Sequence, residues 1–252
     1  MRVRKVAIGV GVAVVALVGL VMAFPGARRH ARELYRGVQK QFTVEERLAQ
    51  YGPAARARLE GHFEKAGVKY PGAEVVLVGI KQTRTLEVWA RKDGQGFALV
   101  RTYPIVGASG RLGPKLREGD RQVPEGLYEI ESLNPNSSFH LSLRVSYPNE
   151  FDREQAKRDG RTKLGGDIMI HGGSASVGCL AMGDEAAEDL FTLAADVGLD
   201  NVRVILTPVD FRCAKLPADM PKTPAWTADL YAKLREAMEP LRQRGGAGEG
   251  KS

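Results

Sequence analysis

The sequence predicts a β-rich α+β domain, flanked by helices and preceded by a long apolar N-terminal segment. Three observations carry that reading. An uncharged apolar run fills Val6–Phe24 behind Arg2, Arg4 and Lys5. Helical periodicity holds from Arg28 to about Tyr70, and at Ala73 it gives way to alternating and continuous apolar runs, the spacing of strands. A second helical stripe closes the chain. The expected divisions are 1–27, 28–72, 73–210 and 211–252.

Taken in order, the first segment reads as a secretory signal or a membrane anchor, since a charged start and an apolar run of this length serve either purpose. Val21-Met22-Ala23 offers small residues for cleavage after Ala23, while the run is nearly long enough to span a bilayer. Arg28, Arg29 and Arg32 follow it, so positive charge on both sides leaves orientation undecided. Export is expected either way. Thr43-Val44-Glu45-Glu46 forms a capping box, a hydroxyl at the N-cap with a carboxylate three residues on. Gly52-Pro53 is expected to break that helix and open another, which runs through Leu59, Phe63 and Ala66 to Gly67.

Strands are expected over Glu74–Ile80, Thr85–Arg91 and Phe97–Val106, the last after the turn residues Asp93–Gly96. Gly107–Gly126 is too long for a hairpin and reads as a functional or crossing loop. Leu127–Leu133, Phe139–Tyr147 and Asp167–His171 supply further strands. A helix follows with Asp184 as its cap, Glu185 and Glu188 in its positive first turn, and Gly198 at its end. Asn201–Leu206 returns as the last strand. Thr223 and Pro224 open a terminal helix whose stripe, Trp226, Leu230, Leu234, Met238 and Leu241, reads as packing. Residues 245–252 read as a frayed end.

The 252 residues, 43% hydrophobic and 27% charged, suffice for one full domain with a sizeable core. Net charge is +7, but the 37 basic residues are scattered, with no aromatic–basic interleaving of the kind nucleic-acid modules use. A cationic protein close to an anionic envelope surface is the expected setting, with no nucleic-acid partner. The two cysteines, Cys179 and Cys213, would invite a disulfide in an oxidising compartment. The surroundings of Cys179 point elsewhere.

Residues 168–182 read Ile-Met-Ile-His-Gly-Gly-Ser-Ala-Ser-Val-Gly-Cys-Leu-Ala-Met. An apolar strand delivers His171 to its end, and a seven-residue loop with three glycines returns the chain at Cys179. A free thiol is mostly protonated at neutral pH, so nucleophilic use requires a base, and an adjacent imidazole supplies one. Glycines before the cysteine allow backbone N–H groups to approach a developing oxyanion. Either residue alone has a blander reading: an inert buried thiol, or a core histidine. Zinc held by His140, His171, Cys179 and Cys213 is a rival, but no familiar ligand spacing supports it. Neither metal nor cofactor is expected.

His171-Gly172 followed by Ser176-Val177-Gly178-Cys179 resembles the signature of the L,D-transpeptidase (YkuD-type) catalytic domain family. Further motifs resemble its YafK-like branch: Lys115–Gly119 running into Gly119–Gly126, then Asn134–Leu141, then Tyr147-Pro148-Asn149. The resemblance covers roughly residues 73 to 210 and implies two curved mixed sheets packed as a sandwich, with the histidine and cysteine on one rim. It implies Cys179 as nucleophile and His171 as general base and acid, oriented by the Gly172 carbonyl. Ser176 and Gly178 would shape the active loop, and the N–H groups of Gly178 and Cys179 would form the oxyanion hole. Many family members have a longer stretch between the two residues and a histidine where Val177 stands. Arg121, whose guanidinium suits a carboxylate, and His140 are candidates for substrate binding.

The implied reaction is acyl transfer at the L-centre of diaminopimelate in peptidoglycan stem peptides, through an acyl-enzyme on Cys179. Its alternatives are hydrolysis of the same linkage, including release of a peptidoglycan-linked envelope protein, and a non-catalytic peptidoglycan-binding scaffold. The expected location is the periplasm or cell envelope, with membrane contact if residues 6–24 are retained.

Overall fold

The computed structural model describes residues 41–92 and 96–242. Helix α1, Val44–Ala66, starts at the expected capping box: the Thr43 side chain accepts from the Glu46 N–H at 3.2 Å, and the Glu46 carboxylate accepts from the Thr43 N–H at 2.9 Å. It does not break at Gly52-Pro53. Pro53 sits inside one continuous helix that buries Ala55, Leu59 and Phe63, so tertiary packing outweighs the roughly 3 kcal/mol that an interior proline costs. Gly67, at φ 66°, ends it.

The strands are β1 Val75–Ile80, β2 Thr85–Arg91, β3 Phe97–Pro104, β4 Gly126–Ser137, β5 His140–Val145, β6 Met169–His171, β7 Leu180–Ala181 and β8 Val202–Thr207. They form a mixed sheet in the order β3-β2-β1-β8-β4-β5-β6-β7. The β1–β8 and β6–β7 pairs are parallel, and the other ladders are antiparallel. The two separate sheets expected from the resemblance are halves of this one sheet. Strand β4 joins them: Gly126–Glu129 pair with β8, and the ladder to β5 begins at Ile130. A register irregularity between Ile130 and Ser132 marks the bend, as an inserted residue sharpens the local twist. The far ends of the sheet also meet. After β3 the chain continues to Val106 and Gly107, whose N–H groups donate to the Ala181 carbonyl at 2.9 and 3.2 Å, while the Ala181 N–H returns to the Gly107 carbonyl at 2.8 Å.

One core cluster lies within this curve. It joins Val75, Leu77, Leu86 and Val88 to Leu141, Leu143, Ile170 and Leu180, with Leu59 and Phe63 of α1. Helix α3, Asp184–Val197, adds Leu190 and Phe191. It is fastened by Asp189, whose fully buried carboxylate accepts from Arg58, Arg101 and Tyr103 at 2.8, 2.9 and 2.9 Å, which offsets the cost of burying the charge. Alternate residues of β1, Val76, Val78 and Ile80, pack with Leu230, Leu234 and Met238 of α4, Thr227–Met238. The terminal stripe is therefore packing.

Local starts differ from expectation. Helix α3 has Gly183 at its N-cap, with Asp184 as its first residue, and α4 begins at Thr227 rather than behind Thr223. Helix α2, Glu150–Arg158, was not expected; Asn149 and Asp152 form its capping box. The apolar N-terminal run, the turn at 93–95 and the tail 245–252 lie outside the described residues. Among the described residues no helix is long and apolar enough to cross a membrane.

Candidate active site

Strands β6 and β7 run parallel, with Ile170 opposite Leu180 and His171 opposite Ala181. Continued by one residue, that register sets Cys179 beside Met169. Ile170 and Leu180 enter the core, while Cys179 stands on the bend just before β7 with its Sγ against the backbone of β6 at Met169, two residues before His171. The loop between them is as short as the sequence suggested, and it is held from both sides. The Met182 N–H donates to the His171 carbonyl at 2.8 Å, and the Gly173 N–H donates to the Asp184 carboxylate at 2.7 Å.

His171 is 2% exposed. Its Nδ1–H donates to the Gly172 carbonyl at 2.6 Å, and the Phe139 ring lies against it at 4.8 Å. That bond fixes the tautomer, leaving Nε2 as the acceptor of the neutral ring. Burial pushes the imidazole below the usual histidine value, against the upward pull of the Gly172 carbonyl. Cys179 is partly buried, and its Sγ accepts from the Met169 N–H at 3.4 Å and donates to the Asp167 carbonyl at 3.5 Å. Burial pushes this thiol up; the Met169 N–H opposes that, the Asp167 charge adds to it, and the Lys115 ammonium opposes it. The resting pair is therefore a neutral thiol and a neutral imidazole. Chemistry here requires a proton to move when substrate arrives.

Two glycines are held by different demands. Gly178 has φ 86°, a conformation that a Cβ disfavours. Gly172 has no such backbone, but a Cβ there would meet Asp184 Oδ1 at 2.6 Å, the Phe139 carbonyl at 2.8 Å and His140 Cβ at 2.9 Å.

The expected oxyanion donors are already engaged. The Gly178 N–H donates to Ser109 Oγ at 2.7 Å, and that hydroxyl donates to the Arg121 carbonyl at 2.7 Å. The Cys179 N–H donates to Ser176 Oγ at 3.1 Å, which donates back to the Cys179 carbonyl at 2.6 Å. Sheltered N–H groups take partners, and these two have hydroxyls. An oxyanion at this position must displace a hydroxyl.

The substrate candidates part company. Arg121 borders the loop at φ 57°, exposed, with no side-chain partner among the described residues. The His140 Cβ abuts Gly172, but its imidazole pairs with Glu188 at 2.9 Å and meets the Tyr51 ring edge-on at 4.8 Å, joining α1 and α3. Cys213 is an exposed free thiol on a turn with Asp210, so no disulfide joins it to Cys179. Among the described residues no cluster of three or more His, Cys, Asp or Glu side chains suits a metal ion.

Sequence reasoning missed Ser109, for which a lone serine in a Gly-rich loop gives no signal. It also assigned no role to Lys115 and Asp120, although both lie in a motif it singled out. The Asp120 carboxylate accepts from Lys115 Nζ at 2.6 Å and from the N–H groups of Leu116, Arg117 and Gln122 at 2.8, 3.0 and 3.1 Å. It thereby builds the turn whose Gln122 carbonyl faces Gly178. Three non-glycine residues at positive φ, Arg121, His140 and Asp167, border this site, where strained backbone commonly collects.

A family model for the L,D-transpeptidase catalytic domain, YkuD, matches residues 73–209, more than half of the chain and every element just described around Cys179. The chain belongs to that family. It is 34% identical over 142 residues to YafK of Escherichia coli K12, a protein whose own naming as an L,D-transpeptidase is provisional; the match covers 54% of this chain and 55% of YafK. Among solved structures it is similar to the helical cell shape determining protein Pgp2 of Campylobacter jejuni, at 26% identity and a TM-score of 0.43, covering 54% of this chain and 48% of Pgp2. It is also similar to Bd1075 of Bdellovibrio bacteriovorus, at 20% identity and a TM-score of 0.40, covering 67% of this chain and 55% of Bd1075. The chain spans about half the length of these relatives.

Proposed function

We propose that this chain is a cysteine acyltransferase of the cell envelope that acts on peptidoglycan stem peptides at the L-centre of diaminopimelate. The observation that carries the reading is the His171 Nδ1–H bond to the Gly172 carbonyl, which leaves Nε2 as an acceptor two residues along β6 from the Met169 N–H that holds Cys179 Sγ. As substrate binds, Nε2 takes the thiol proton while Sγ forms a bond to the carbonyl carbon. Collapse of the tetrahedral intermediate breaks the C–N bond, and the imidazolium returns its proton to the leaving amine. An amine or water then attacks the thioester, with His171 again accepting the proton, and Cys179 leaves as the thiol. The oxyanion is received by an N–H of Gly178 or Cys179 once Ser109 or Ser176 gives way.

The test incubates the full-length chain and its Cys179→Ala variant with purified peptidoglycan and tetrapeptide-bearing muropeptides, and reads the products by mass spectrometry. Cross-links or exchanged terminal residues, absent with the variant, establish transfer to an amine. Loss of a terminal residue or release of a linked peptide, again absent with the variant, establishes water as acceptor on the same acyl-enzyme. Unchanged substrate with wild type, or equal turnover by the variant, overturns the proposal.

A further inference from the structure

Where the two ends of the sheet meet, the fold forms a partly open cavity of about 350 Å³. It lies behind the loop that carries Ser109: Leu180 lines it from β7, and neither His171 nor Cys179 does. Its walls are apolar, from Leu180, Leu206, Ile105 and Val123, and Gly79 of the buried strand β1 contributes no side chain. Strand-interior glycine weakens a sheet and commonly marks a close approach.

The polar groups in the cavity divide into committed and uncommitted ones. Lys81 is committed: its Nζ pairs with Glu125 at 2.9 Å and donates to the carbonyls of Gly113 and Val123 at 2.8 and 3.0 Å. The other Glu125 oxygen accepts from the Tyr231 hydroxyl at 2.7 Å, so this buried charge is closed on itself. Gln82, Arg84 and Arg111 also line the cavity, are exposed, and have no side-chain partner among the described residues. Arg84 is held there at φ 52°, with its carbonyl accepting from the Ile105 N–H at 2.8 Å. A closed apolar floor with two uncommitted guanidinium groups calls for a ligand with one apolar end and one anionic end.

We infer that this cavity is a second binding site, with neither His171 nor Cys179 in its lining, for a small aliphatic carboxylate whose chain lies on the Leu180–Leu206 floor and whose head group is held by Arg84 and Arg111. The volume limits the ligand to a single short chain, within the lower range of small-molecule sites, and the mouth of a closed sheet is a usual place for one. Ser109 lines the same cavity and holds the Gly178 N–H, so the bound molecule lies one hydrogen bond behind the nucleophile loop.

The test is a calorimetric titration of the full-length chain with butanoate, hexanoate and octanoate, kept below micelle-forming concentration. The same titration on Cys179→Ala separates binding from any turnover. Saturable one-to-one binding is expected on both proteins, tightening about fourfold per added methylene until the cavity is full. Arg84→Glu with Arg111→Glu is expected to weaken octanoate about tenfold while leaving octanol within about twofold. No saturable binding to the wild type, affinity independent of chain length, or octanoate bound as tightly by the charge-reversed protein would each overturn the inference.

Discussion

Replacing Gly172 with alanine tests the site through geometry alone. Its backbone is one that alanine adopts freely, so any cost is steric. The new methyl would stand 2.6–2.9 Å from Asp184 Oδ1, the Phe139 carbonyl and His140 Cβ, about 0.5 to 0.8 Å inside ordinary contact. None of the three yields easily. Asp184 Oδ1 holds the Gly173 N–H, and the other two belong to the turn into β5. Overpacking of this kind costs about 2–3 kcal/mol of stability. The displaced peptide is the one whose carbonyl anchors His171 Nδ1, so loss of orientation should add about a hundredfold loss in kcat/KM. Gly173→Ala is the matched control. It has φ 64° and only Phe139 Cδ1 nearby, at 3.6 Å, so it should cost about 1 kcal/mol of left-handed strain and leave turnover within a fewfold. Urea unfolding and muropeptide turnover on both variants decide the matter. A Gly172→Ala protein as stable and active as wild type, or one no worse than Gly173→Ala, would refute the assignment of the Gly172 carbonyl as the imidazole's anchor.

Four further outcomes follow from the structure. Because burial holds His171 below the usual 6.5 and keeps the Cys179 thiol above 9.0, kcat/KM should fall only on the acid side of pH 6.5, and alkylation of Cys179 by iodoacetamide should still be rising at pH 9; an alkylation plateau at neutral pH would contradict this. The unfolded chain protonates His171 first as pH drops below 6.5, so that residue's share of stability is lost over the same acid range, measurable as a falling urea midpoint. Asp120→Ala strands Lys115 and three backbone N–H groups and should cost about 2–3 kcal/mol, with turnover reduced about tenfold as the loop over Gly178 loosens; Asp120→Asn should recover part of both. Thr43→Ala removes the cap of α1, with an expected loss of about 1 kcal/mol in urea unfolding and unchanged turnover.

What the sequence disclosed was whatever repeats at a fixed spacing. The alternation of Leu86, Val88 and Ala90 placed β2 to the residue, and Thr43 with Glu46 placed the start of α1. His171 and Cys179 were legible because an apolar run, a glycine loop and two reactive side chains stand close together in the chain. Pro53 misled because its cost is local, whereas the burial of Leu59 and Phe63 that outweighs it depends on α3 and the sheet. Strand β7 has two residues, too few for a period, and exists only because β6 and Gly107 pair with it. Ser109 lies 69 positions from the amide it caps, and no local pattern reports such a contact.

The meeting of Val106–Gly107 with Ala181 has a consequence for the molecule's dealings with its neighbours. Without it, β7 would present unpaired N–H and carbonyl groups at the rim of the sheet, next to the Cys179 thiol and the exposed Val177. Such a rim recruits strands from other chains, which leads to self-association. Gly107 keeps the seam shut, since any side chain there would press into the Ser174 carbonyl. Opening the seam would change the protein's solubility before it changed its chemistry.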